Sequence, residues 1–113
     1  MDAKEISLIA NRKYYEACIA LKGRVKPEMV DFDSYAYFRI DSVPQNLELV
    51  VDGKIINGSE KRVSAFQKLL SFKEPDDLNL LERKKAPSVG CQVVRDYLNG
   101  LGFECRIDWS FRD

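Results

Sequence analysis

Between Phe103 and Phe111 the chain alternates without interruption. Phe103, Cys105, Ile107, Trp109 and Phe111 fall on one side, Glu104, Arg106, Asp108 and Ser110 on the other. A side-chain period of two belongs to a strand with one buried and one wetted face. Five apolar side chains in that row, among them the only tryptophan of the chain, mark this strand as the expected centre of the core. Gly102, directly before it, suits the left-handed residue that ends a helix. A helix is therefore expected to deliver the chain onto the strand.

Upstream, the pattern alternates between helical and extended segments. Ala3 to Leu21 has neither Gly nor Pro and places Ile6, Ile9, Ala10, Ala17, Ala20 and Leu21 on one helical face. Leu8, Tyr15 and Ile19 form a second stripe nearly opposite, either a wider core face or a stripe reserved for a partner. Gly23 to Asp33 is a connector with Pro27 and the acids Glu28, Asp31 and Asp33. A strand follows from Tyr35 to Ile40, with Ala36, Phe38 and Ile40 on one face and Tyr35, Tyr37 and Arg39 on the other. Leu47 to Val51 reads as the next strand, with Leu47, Leu49 and Val51 facing together. Asp52-Gly53 is a strong two-residue hairpin signal before Lys54-Ile55-Ile56, because that turn requires positive φ at both positions.

Ser59 is the expected N-cap of a helix running to about Phe72, with Val63, Phe66, Leu69 and Leu70 inward and Lys61, Arg62 and Lys68 outward. Pro75-Asp76-Asp77 reads as the start of a short helix, with Arg83-Lys84-Lys85 at its negative end, as the macrodipole favours. Pro87 and Ser88 then start a last helix, with Val94, Tyr97, Leu98 and Leu101 inward. The expected architecture is one small α+β domain spanning residues 1–113 in the order α-β-β-β-α-α-α-β. About four mostly antiparallel strands pack with helices, and the last strand, arriving by a helical crossover, has the option of parallel pairing.

Composition narrows the chemistry. Acidic and basic residues balance at 18 each, which argues against a dedicated polyanion binder, although a local basic patch remains open. No apolar run approaches the roughly 18 residues that span a bilayer, and the amino terminus lacks the order of a signal peptide. Cys18, Cys91 and Cys105 are spaced as neither a disulfide framework nor a zinc site, and buried reduced thiols suit a cytoplasmic setting. The chain has no histidine, which excludes Ser-His and Cys-His catalytic pairs and most zinc chemistry. Lys22 lies one turn from Cys18 but is expected to face solvent, so no thiol is expected to be activated. No cofactor or metal requirement emerges.

Two arrangements resemble known families. Asp41, followed beyond one strand by Asp52-Gly53-Lys54, with Glu16 on the first helix, is similar to the acid and acid-x-Lys pattern of PD-(D/E)xK nucleases. That resemblance implies two carboxylates on Mg²⁺ and a lysine at the attacking water. Asp41 is not preceded by Pro and ends its strand, and Asp52-Gly53 has a complete alternative account as a hairpin turn. The α-β-β-β-α order also resembles double-stranded RNA-binding domains, which implies that Lys61 and Arg62 meet phosphates. The first helix here is largely apolar, unlike the one such domains use for contact.

By function class, the sequence points first to a small non-catalytic protein-binding domain, a regulator, an inhibitor or an immunity-type protein. Leu8, Tyr15, Ile19, Tyr35, Tyr37 and Arg39 are its candidate contacts, with another protein or a second copy as partner. The alternative is nucleic-acid work, by binding through Lys61, Arg62 and Lys68 or by cleavage through Asp41, Asp52, Lys54 and Glu16.

Overall fold

A computed structural model describes residues 1–111. Its elements run α1 (Ala3–Ile19), a single 3₁₀ turn at Pro27–Met29, β1 (Ser34–Ser42), β2 (Val50–Val51), β3 (Lys54–Ile55), α2 (Ser59–Gln67), α3 (Leu80–Gly100) and β4 (Glu104–Phe111). This is an α+β domain with antiparallel strands, as the patterning requires, but the strands form two separate two-stranded sheets. β4 pairs antiparallel with β1, from Ser34 opposite Phe111 to Ser42 opposite Glu104. A parallel partner for β4 is thus corrected. The bulge between Ile40 and Ser42 adds the extra twist such insertions bring.

The hairpin expected at Asp52-Gly53 is present. It joins β2 and β3 with φ of +52° at Asp52 and +76° at Gly53, the left-handed pair that two-residue turns use. Only Leu47 and Leu49 of the expected Leu47-Leu49-Val51 face enter the core; Val51 is exposed. The two-residue strands carry their apolar side chains Val50, Val51 and Ile55 in solvent.

α3 is the hub, packing against α1 and against both strands of the ribbon, while α2 packs on β1. Where Pro75 and Pro87 suggest two helices, the structure has one. It begins with a capping box in which Asn79 Oδ1 accepts the Glu82 N–H at 2.9 Å and Glu82 Oε1 accepts the Asn79 N–H at 2.9 Å. Pro87 lies inside the helix, where it removes one backbone bond. Packing on α1 and the ribbon outweighs that loss, as tertiary contacts override local propensity. Arg83, Lys84 and Lys85 consequently lie near the positive end of α3, opposite to the expected dipole match.

Two close fits fix the helices. A β-carbon on Gly90 would lie 2.9 Å from Tyr14 Cζ and nearer still to two other ring carbons, so α1 and α3 approach as they do because Gly90 has no side chain. The Tyr14 ring in turn stacks on Phe72, with centroids 4.5 Å apart and planes at 4°, and Phe38 meets Phe72 edge-on at 5.6 Å. At the far end of α3, Gly102 (φ +97°) closes a Schellman motif. Its N–H donates to Asn99 O and the Phe103 N–H to Leu98 O, both at 3.1 Å.

The buried face of α1 is Ala3, Ile6, Ser7, Ala10, Tyr14 and Cys18, rotated from the expected one, so that Ala20 is exposed. Tyr14 takes this place because its ring has Gly90 and Phe72 to pack on. α2 starts with Gly58 (φ +93°) as the cap residue, Ser59 being the first helical position, and ends at Gln67. Phe66 is fully buried against Phe103, with centroids 4.7 Å apart.

The largest departure concerns β4. Its apolar side chains pass from buried to exposed along the strand: Phe103 is 3% exposed, Trp109 47% and Phe111 67%. The tryptophan is not the centre of the core. Alternation establishes that these residues share a face, not that a layer exists to cover all of it. The half of α3 beside the far part of the ribbon presents Arg83, Lys84 and Lys85 where a sealing layer would need apolar side chains. The ribbon therefore runs out past the core. The radius of gyration, 15.4 Å with extents of 47 × 29 × 24 Å, exceeds the about 13 Å of a compact chain of this length.

Candidate functional site

The uncovered half of the ribbon and the first turns of α3 enclose a groove of about 490 Å³. Ala36 and Trp109, opposite one another across the strands, belong to its ribbon side. Arg83, Lys84, Pro87 and Ser88 belong to its helix side, and Met29 to Asp31 close one end. Lys84 Nζ sits 5.6 Å from the centroid of the half-buried Tyr35 ring, a cation–π arrangement. Arg83 Nε donates to Leu78 O at 3.2 Å. Among the described residues none of Arg83, Lys84 and Lys85 has a carboxylate within 4.0 Å, the ion pairs lying elsewhere. Tyr37, Leu80 and Phe111 add exposed apolar surface near this end.

Charge covers another part of the same ribbon. Arg39 and Arg106 are directly opposite across the strands, a repulsive pairing if left alone. Each is neutralised diagonally, Arg39 by Asp108 at 3.0 Å and Arg106 by Asp41 at 3.1 Å, and Arg106 also reaches Asp108 on its own strand at 3.3 Å. Arg39, a candidate contact in the sequence, is therefore one member of a four-charge ladder. Tyr37 is exposed and Tyr35 is tied to Lys84. The α1 stripe Leu8, Tyr15 and Ile19 is exposed, so it is surface, not core.

The nucleic-acid and nuclease sets fare differently. Lys61 on α2 and Lys68 at its C-cap are exposed. Arg62 is not free beside them, because its guanidinium donates to Pro44 O at 3.0 Å, to Gln45 O at 3.5 Å and to Leu47 O. It ties down the loop from Pro44 to Leu47 through these carbonyls, a task with no signature in the sequence. Glu16 sits 3.7 Å from Arg12 on α1, Asp41 is in the ribbon ladder, and Asp52 and Lys54 are exposed in the separate hairpin. Among the described residues no three His, Cys, Asp or Glu side chains gather into a group able to hold a metal ion. The carboxylate-lysine set is thus spread over three elements.

Burial decides the thiols. Cys18 and Cys91 are pushed up to about 11 and Cys105 to about 12, in each case chiefly by desolvation, which leaves them protonated and unreactive near neutrality. The one buried carboxylate of note, Glu82, is structural. Backbone N–H groups of Asn79 and, at 2.8 Å, of Gly23 hold its carboxyl below the ordinary range. It thereby ties the connector after α1 to the start of α3.

No family model, no curated protein and no solved structure matches the chain. Among the described residues no helix is long and apolar enough to cross a membrane.

Proposed function

We propose that the chain is a small non-catalytic protein-binding domain, of the regulator, inhibitor or immunity type, and that the far end of the β1–β4 ribbon is its contact surface. The observation that carries this reading is the apolar face of β4 leaving the core, with Trp109 and Phe111 uncovered above the groove. Exposed Trp, Tyr and Arg in one place are the composition of interface centres. Three protonated thiols suit a reducing, cytoplasmic setting. Capture of a partner from the source lysate by the wild-type chain, and its loss in Trp109→Ala with folding retained, is the expected result. Capture unchanged in Trp109→Ala, and abolished instead by Tyr15→Asp, would move the site to the α1 stripe.

A second reading, nucleic-acid binding, is favoured by one observation: Arg83, Lys84 and Lys85, with no carboxylate partner among the described residues, line the same groove as Trp109 and Tyr35. Bases stack on aromatic rings while cations take phosphates. Binding of a fluorescent single strand that falls steeply with salt, and is lost in Lys84→Ala/Lys85→Ala, is the result that would select it over a protein partner.

A further inference from the structure

The outer edge of β4 is open in a way that can be read from a single side chain. Asn99 Oδ1 accepts the Cys105 N–H at 2.8 Å and its Nδ2 donates to Cys105 O at 3.2 Å. Both backbone groups of Cys105 therefore point away from β1. In an antiparallel ladder the direction alternates from residue to residue, so Ile107, Trp109 and Phe111 also turn their N–H and C=O outward. Among the described residues no hydrogen bond reaches these groups. Asn99 caps the edge at its start and leaves the rest bare.

Proteins that keep an edge unpaired usually place Lys, Pro, a bulge or a covering element there. β1 has the bulge at Ile40/Ser42 and α2 packed on it. Between Ile107 and Phe111 β4 has no Pro, Gly or Lys. Its one charge, Asp108, is already engaged by Arg39 and Arg106.

We infer that this edge pairs with the same edge of a second copy of the chain, antiparallel about a two-fold axis at Trp109. This deepens, and rests on, the reading of the far ribbon as a binding surface. Ile107 then lies opposite Phe111 of the second copy and Trp109 opposite its own equivalent. On the wet face Asp108 meets a serine, Ser110, so between Ile107 and Phe111 no like charges confront each other. The pairing is isologous and closed. It converts two two-stranded ribbons into one four-stranded antiparallel sheet, a size that isolated ribbons need for stability, and it covers the exposed tryptophans. The net charge of zero opposes no approach.

The area sets the strength. Large aromatics offer about 150–250 Å² each, and Trp109 and Phe111 have roughly half to two-thirds of theirs still exposed. The gain is roughly 200 Å² per copy before edge atoms, below the roughly 800 Å² per partner of a standard interface. The dimer is accordingly weak and dissociates on dilution.

Sedimentation velocity on the full chain from about 1 to about 500 µM, a range bracketing such affinities, tests this together with emission from the single tryptophan. The expected result is a mass that doubles across the range, with a blue shift over the same concentrations. Phe111→Glu, and separately Trp109→Pro, which removes an N–H that faces away from β1, should stay monomeric with unchanged circular dichroism. Phe111→Glu alone suffices if the proline variant does not fold. A wild-type chain monomeric throughout, or a dimer indifferent to Phe111→Glu, overturns the inference. In either event the Trp109→Ala capture experiment decides separately whether the ribbon end still serves a different protein.

Discussion

The two ends of the β1–β4 ribbon share one sequence pattern and meet opposite fates. At the near end Ile40 and Cys105 face each other in the core, and Phe103 abuts Phe66. At the far end the same alternation continues through Trp109 and Phe111 into solvent. Strand periodicity is a property of the backbone, whereas burial is a property of whatever lies across from it. Here the opposing layer changes from the apolar second half of α3, with Val94 and Leu98 fully buried, to a cationic first half.

The widest test of that contrast pairs two phenylalanines eight residues apart. Phe103→Ala should lose about 3–5 kcal/mol, as buried aromatics do. Phe111→Ala should change stability by within about 0.5 kcal/mol. Urea denaturation of both measures the difference, and comparable losses would mean that the far end is covered after all. Next in size is Gly90→Ala. Helix propensity alone favours Ala by about 1 kcal/mol, yet the added methyl must displace Tyr14 from Phe72. A net loss of about 1–3 kcal/mol is expected, as for overpacked cores, and a stabilised variant would refute the tight approach of α1 to α3.

Acid should first loosen the tie between the connector after α1 and the start of α3. The carboxyl of Glu82 is held down by the Asn79 and Gly23 N–H groups, and that of Asp77 by the hydrogen bond from Lys22 at 2.7 Å. Folded values below unfolded ones mean that their stabilisation is present above the ordinary carboxylate range and is lost as pH falls through the folded values. Glu74, raised by burial, works in the opposite sense. Melting temperature should therefore drop below about pH 4.5, and Glu82→Gln should lower it at neutrality and flatten the acid slope. A small effect belongs to the ladder on the ribbon. Arg39→Ala, removing an exposed partner of Asp108, should change stability by about 0.2–1 kcal/mol, less at high salt.

Much of this architecture was legible in the residues and some was not. Asp52-Gly53 specified its turn because few residues accept φ > 0, and Gly102 specified the end of α3 for the same reason. Leu8, Tyr15 and Ile19 were legible as a stripe separate from the main apolar face. Pro87 misled, because a local penalty gives way when a helix is packed on two neighbours. Trp109 misled because pattern carries no information on the extent of the opposing layer. Arg62 appeared as a surface cation since nothing in its neighbourhood announces the loop carbonyls it binds. The basic run at Arg83 was visible, but its place beside a groove depends on the ribbon, whose strands lie far apart in the chain.

That separation has a kinetic side. No turn joins β1 to β4; their rungs link residues from 62 (Ser42 to Glu104) to 77 (Ser34 to Phe111) positions apart. The Gly102 cap and the Asn99 clamp, by contrast, close loops of only a few residues. α3 and the first residues of β4 can thus assemble early as a local unit, with β1 added after a large loop-closure entropy has been met. Zipping then starts at Cys105 and Ile40 and runs outward. Amide exchange should reproduce that order in reverse, slowest at the clamp and progressively faster towards Tyr35 and Ser110, so that the ribbon frays from the end that Trp109 occupies.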